Sequence, residues 1–139
     1  LYISSEKVDT IKYSKTKVYY SSVRFCRFHE LGLANPDCKI IMIDADSLFR
    51  KSPRLIIESI DSNVDIGINY FENNPMWDQF PASLIYSKST EKANKFLSEV
   101  SQFIIQNLKQ KTEEWFLDQV ALFISYKKVQ HHQKYRYLL

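Results

Sequence analysis

A chain of 139 residues is large enough for a single core without disulfide or metal staples, so one domain spanning 1–139 is expected. With 45% hydrophobic and 25% charged residues it has the make-up of a folded globular chain and not of a disordered one. The net charge of +3 comes from Lys and Arg dispersed among Asp and Glu, with no block of like charge; this excludes the footprint of a nucleic-acid binder and mildly favours anionic substrates.

No apolar run reaches about 18 residues and no charged-then-apolar leader is present, so neither a membrane span nor a signal peptide is expected. Cys26 and Cys38 have no metal or redox spacing. They read as small apolar side chains in a reducing, cytoplasmic setting, with a disulfide as the alternative. Neither Gly32 nor Gly67 belongs to a phosphate-cradling loop, so any phosphate must be held another way.

Along the chain, the opening LYISSEKVDTIKYSK has no clear period and reads as strand or loop. From Lys15 to Leu31, apolar or aromatic residues at Tyr19, Val23, Cys26 and Leu31 have helical spacing, and Gly32 is a natural stop. Asn35-Pro36 marks a turn, and Ile40-Ile41-Met42-Ile43 reads as a strand buried on both faces. Ser52 followed by Pro53 reads as an N-cap with proline at the first helical position; Leu55, Ile56, Ser59 and Ile60 give that helix an apolar stripe.

NVDIGINYF reads as a second strand, ENNPMWDQFP as a polar loop carrying two aromatics, and ASLIYSKS as a third strand. Ser89 or Thr90 caps a long helix in which Ala93, Phe96, Leu97, Val100, Phe103, Ile104 and Leu108 recur at three- and four-residue steps. Thr112 caps a further helix over EEWFLDQVALFIS, and the tail YKKVQHHQKYRYLL alternates loosely, as a final strand would. Strands alternating with helices predict an α/β layer with a mixed, mostly parallel sheet flanked by helices. In such sheets ligands gather beyond the carboxyl ends of the strands.

Asp44 and Asp46 stand at such an end, directly after the apolar run. Uncompensated carboxylates at the edge of a core are costly and need a partner. In an extended segment, residues two apart project to the same side, so the pair can share one hard cation, Mn²⁺ or Mg²⁺, whose remaining ligands come from water and substrate phosphates. The plainer reading is that Asp46 or Ser47 caps a turn and Asp44 pairs with a nearby arginine. Arg24 has its own plain reading, a solvated helix residue paired with Glu30 or Asp61, and Ala82 and Ser83 fit ordinary strand positions. Asp118 is harder to explain by packing, because its neighbours Trp115, Leu117, Val120 and Leu122 must bury something.

The succession YYSSVRF, KIIMIDADSLFRKS, DIGINYF, FPASLIYSKSTEKANKFLSEV and WFLDQVALF resembles the GT-A glycosyltransferases, particularly the glycosyltransferase-8-like enzymes, from about Tyr19 to Phe123. The resemblance implies a GT-A-like fold and transfer of a sugar from a nucleotide-diphosphate sugar to a hydroxyl acceptor. It implies a divalent cation on Asp44 and Asp46, Arg24 near the nucleotide with Tyr20 a neighbour, Ala82 and Ser83 lining the donor sugar and acceptor, and Asp118 with Gln119 near the sugar. Pro81 stands where that family has an asparagine, so an amide that would bond sugar hydroxyls is lacking. His131-His132 resembles a late metal-binding histidine only loosely, lacking its flanking glycine and lysine, and reads as solvated tail.

Such enzymes begin with a strand-helix-strand segment that holds the base, and the residues before Arg24 are too few to build it. The chain is therefore expected to be a portion of a GT-A domain, part of a longer polypeptide or a homo-oligomer through an open sheet edge, with little transfer alone. A haloacid-dehalogenase-like phosphatase is an alternative, since its nucleophile lies in a similar strand-end D-x-D; the later lysine and paired acids it needs are not found. A truncated, non-catalytic binding module is another.

Overall fold

The computed structural model describes residues 16–50, 52–111 and 114–132, with side chains up to residue 129. The opening stretch, the Thr112 cap, the side chains of His131 and His132, and residues 133–139 lie outside the described residues. Helix α1 (Thr16–Ala34) leads to strand β1 (Ile40–Ile43), helix α2 (Pro53–Ser59) and strand β2 (Ile66–Ile68). A single 3-10 turn at Met76–Asp78 precedes strand β3 (Leu84–Ser87), followed by helices α3 (Glu91–Gln110) and α4 (Leu117–His132). The described residues thus form a mixed α/β structure of four helices and a three-stranded sheet.

The sheet is not mostly parallel. Its order is β1-β3-β2, and β3 runs antiparallel to both neighbours, with Ile43 opposite Leu84 and Ile68 opposite Ile85. β1 and β2, joined through α2, do run in the same direction, but β3 inserts between them and takes the ladder bonds of both. Alternation of strands and helices along a sequence fixes neither the pairing nor its direction, because pairing is a long-range choice. This topology brings the carboxyl end of β1 beside the start of β3, and the ladder continues as the Asp44 N–H donates to the Ser83 carbonyl at 3.0 Å.

Of the described strands β1 is half-buried, not buried on both faces as its composition predicts, whereas β2 is buried throughout and β3 nearly so. The apolar side chains of the core are contributed mainly by α1, β2, β3, α3 and α4, with Phe25, Ile85, Leu97, Val100, Ile104 and Leu122 at its centre. α3 packs between α1 and α4. Its stripe is buried at Ala93, Phe96, Leu97, Val100, Ile104 and Leu108, and Thr90 caps it, its Oγ1 accepting from the Ala93 N–H at 3.3 Å.

Several local readings change. α1 runs through Gly32, which is buried within the helix because a Cβ there would meet the Asn94 side chain of α3 at 2.6 Å. The chain reverses instead at Asp37, whose φ is 60°. α2 has the expected cap, Ser52 Oγ accepting from the Arg54 N–H at 3.3 Å with Pro53 first, yet none of its side chains is buried. The tail that alternates like a strand is helical as far as His132, a continuation of α4. Both cysteines are free, Cys26 buried and Cys38 exposed. Among the described residues no helix is long and apolar enough to cross a membrane.

Candidate active site at the end of β1

The cleft at the carboxyl end of β1 has a volume of about 510 Å³ and is lined by segments from four parts of the chain. α1 contributes Ser21 and Arg24; the turn after β1 contributes Asp44, Ala45 and Asp46. Pro81, Ala82 and Ser83 come from the approach to β3, and Trp115, Phe116, Asp118 and Gln119 from the start of α4. The expected site residues Arg24, Asp44, Asp46, Ala82, Ser83, Asp118 and Gln119 therefore share one cleft. Tyr20 does not line it; half-exposed one residue before Ser21, it meets Tyr19 edge-on at 5.8 Å.

The two aspartates do not project from one extended segment. β1 ends at Ile43, and the Ser47 N–H donates to the Asp44 carbonyl at 3.0 Å, closing a turn across Ala45 and Asp46. The turn sends Asp44 inward to a half-buried position and leaves Asp46 exposed at the cleft without a hydrogen bond or ion pair among the described residues.

Arg24 joins the inner acids. One terminal nitrogen of its guanidinium bonds Asp44 Oδ1, and the other reaches Asp118 Oδ2 at 3.2 Å. The partners read from the sequence, Glu30 and Asp61, are engaged elsewhere: Arg27 occupies the Glu30 carboxylate at 2.8 and 3.0 Å, and Asp61 Oδ1 accepts from the Asn63 N–H at 2.8 Å. Asp118 is only 6% exposed. Burial pushes its carboxyl above the ordinary 3.8; the Arg24 charge and the Gln119 N–H, which donates to Oδ1 at 3.0 Å, oppose that push without overcoming it. An acid in the first turn of α4 also faces the positive end of the helix dipole.

Some polar groups of the cleft remain unpaired. Arg24 Nε and Gln119 Oε1 are buried with no hydrogen-bond partner among the described residues, and buried polar atoms of this kind ordinarily find one. The aromatic rim is what sequence reasoning missed. Trp115 does not bury itself in the core; it is 57% exposed, edge-on to Phe116 at 6.1 Å. Phe116 has a φ of 73°, a left-handed conformation that costs a bulky residue about 1–3 kcal/mol and is typically found where a site constrains the chain. The available signal was an aromatic pair separated by Leu117 alone from the Asp-Gln pair.

Among the described residues no group of three or more His, Cys, Asp or Glu stands together to hold a metal ion by itself. Asp46, with Asp44 beside it, offers one or two carboxylates, a donor set suited to a hard cation that keeps water and substrate oxygens for its other positions. Compared with protein-family models, curated proteins and solved structures, the chain matches none.

Proposed function

We propose that the chain carries the metal-dependent transfer site of a glycosyltransferase, moving a sugar from a nucleotide-diphosphate sugar to a hydroxyl acceptor. The observation that carries this reading is the shared cleft: residues assigned to one site by the GT-A resemblance, far apart in sequence, line the same cavity. Asp46 and Asp44 would hold Mn²⁺ or Mg²⁺. The cation, when bound, supplies positive charge for the departing diphosphate.

The chain's own residues do the remaining work. Arg24 holds Asp44 and Asp118 in place around the cavity, one terminal nitrogen bonded to each, and brings a positive charge to the cleft in which a diphosphate would lie. Asp118 and Gln119 accept from and donate to sugar hydroxyls, fixing the reacting carbon relative to its acceptor. The bond between the anomeric carbon and the diphosphate oxygen breaks, and the acceptor oxygen bonds to that carbon as its proton leaves to solvent. The phosphatase alternative has no comparable support: Asp44 Oδ1 is engaged by Arg24, and among the described residues no lysine lines the cleft.

Calorimetric titration of UDP into the chain, with and without Mn²⁺, tests the reading. Binding that requires Mn²⁺ and disappears in Asp46→Asn is the expected result. Nucleotide binding that ignores the metal and the substitution, or no binding at all, would overturn it.

A further inference from the structure

We infer that Arg24 is a built-in counter-cation of the cleft, claiming Asp44 so that a divalent cation binds weakly alone and firmly only together with a diphosphate. The inference rests on the transferase reading and adds to it the residue that couples the two ligands.

The three acids of the cleft are unequally matched. One terminal nitrogen of Arg24 bonds Asp44 Oδ1, and the other reaches Asp118 Oδ2 at 3.2 Å. Asp46 has no hydrogen bond or ion pair among the described residues. An entering cation therefore meets one unclaimed carboxylate and, beside it, one whose charge is already matched. Among the described residues no lysine and no second arginine lines the cleft, so the positive charge that opposes the cation there is that of Arg24.

Asp118 blocks the easy way out of this contest. If Arg24 swung aside to free Asp44, it would strand a carboxylate that is 6% exposed, and an uncompensated charge at such a position is costly. The guanidinium therefore stays, and it repels any cation that uses the carboxylate to which it is bonded. Its side chain is only 27% exposed, so this repulsion is screened less than it would be at the surface.

Two carboxylates also fill only part of the shell of a hard cation. A diphosphate meets both deficits: its oxygens complete the shell, and its negative charge offsets the crowding of a divalent cation and a guanidinium. Coupling of this kind is reciprocal, so cation and diphosphate raise each other's affinity by one factor, and Arg24 sets it. A residue that only braced the cleft would, when removed, weaken both ligands together.

Four versions of the full chain test the inference: the parent, Arg24→Met, Asp118→Asn and the double variant. Mn²⁺ alone is titrated into each while the paramagnetic resonance of the free ion is followed, and UDP is titrated calorimetrically in excess Mn²⁺. Loss of Arg24 should tighten Mn²⁺ at least about fivefold and weaken UDP by at least about the same factor. Both changes are expected in Arg24→Met against the parent and in the double variant against Asp118→Asn. The second comparison leaves no unmatched buried carboxylate, so it decides the question should Arg24→Met fail to fold. Mn²⁺ affinity that is unchanged or lower without Arg24 overturns the inference, as does UDP affinity that does not fall. Mn²⁺ binding that is equal with and without Arg24, yet lost in Asp46→Asn, removes the coupling role and leaves the transferase site. No binding of Mn²⁺ or UDP by any of the proteins removes both.

Discussion

The three cleft carboxylates sit in different surroundings, and each makes a different prediction. Asp118 titrates near 3.8 when unfolded and above that when folded, because burial outweighs Arg24. A raised carboxyl contributes stability that is complete below the unfolded value and is lost as pH rises through the folded one. Asp118→Asn lacks this dependence. The stability of the variant relative to the parent should therefore climb as pH rises from 3.8 through the folded value, then level off. Urea midpoints for both proteins across this range would show it; a relative stability that falls instead would mean that Arg24, not burial, dominates. Asp46 is exposed and unpaired among the described residues, so Asp46→Asn should change stability by less than about 0.5 kcal/mol. Asp44→Asn, which loosens the Arg24 pair, should cost about 1 kcal/mol, a modest figure because the Arg24 and Asp44 side chains are 27% and 31% exposed. Equal costs for Asp44→Asn and Asp46→Asn in urea unfolding would contradict the distinction drawn between an inner and an outer acid.

At the scale of elements, α2 and α3 have comparable apolar stripes in sequence and opposite fates. Leu97 in α3 is fully buried, whereas Leu55 in α2 is 55% exposed and no side chain of α2 is buried. Leu97→Ala should cost about 2–5 kcal/mol through lost burial and the cavity left behind, and Leu55→Ala about 0.5 kcal/mol or less. Comparable losses would mean that α2 is covered in solution. The same contrast shows what a sequence can and cannot reveal. Periodicity and caps are local, so the spans of α1 and α3, the Ser52-Pro53 start of α2 and the positions of all three described strands could be read directly. Strand partners, strand direction and which stripe finds a surface depend on residues far away. For that reason β1 is half-buried and paired only with an antiparallel β3, and a loosely alternating tail continues α4 instead of adding a strand. Most cleft residues were legible because a patterned set of segments pointed to them together. Trp115 and Phe116 were not, because a tryptophan beside helical leucines looks the same whether it faces the core or a cavity.

Arg24 is where the separate parts of the molecule meet: its guanidinium ties α1 to the turn after β1 and to the first turn of α4. Among the described residues no other ion pair joins those elements. Replacing Arg24 with methionine keeps most of the side-chain volume but leaves the buried Asp118 carboxylate without its counter-charge beside a second acid. Removing one partner of a buried pair costs far more than the pair itself contributes, so Arg24→Met should lose about 2–3 kcal/mol at neutral pH. The double variant Arg24→Met with Asp118→Asn no longer buries an unmatched charge and should recover about 1–2 kcal/mol of that loss, giving a clear coupling in a double-mutant cycle. Because the Asp118 end of the bridge is shielded from solvent, the coupling should persist in about 1 M salt, where exposed pairs are largely screened. Urea unfolding of the four proteins at low and high salt measures it. Additive losses, or a coupling that vanishes with salt, would show that Arg24 sits at the surface of the cleft and not at its centre, and the common anchoring of α1, β1 and α4 would have to be sought elsewhere.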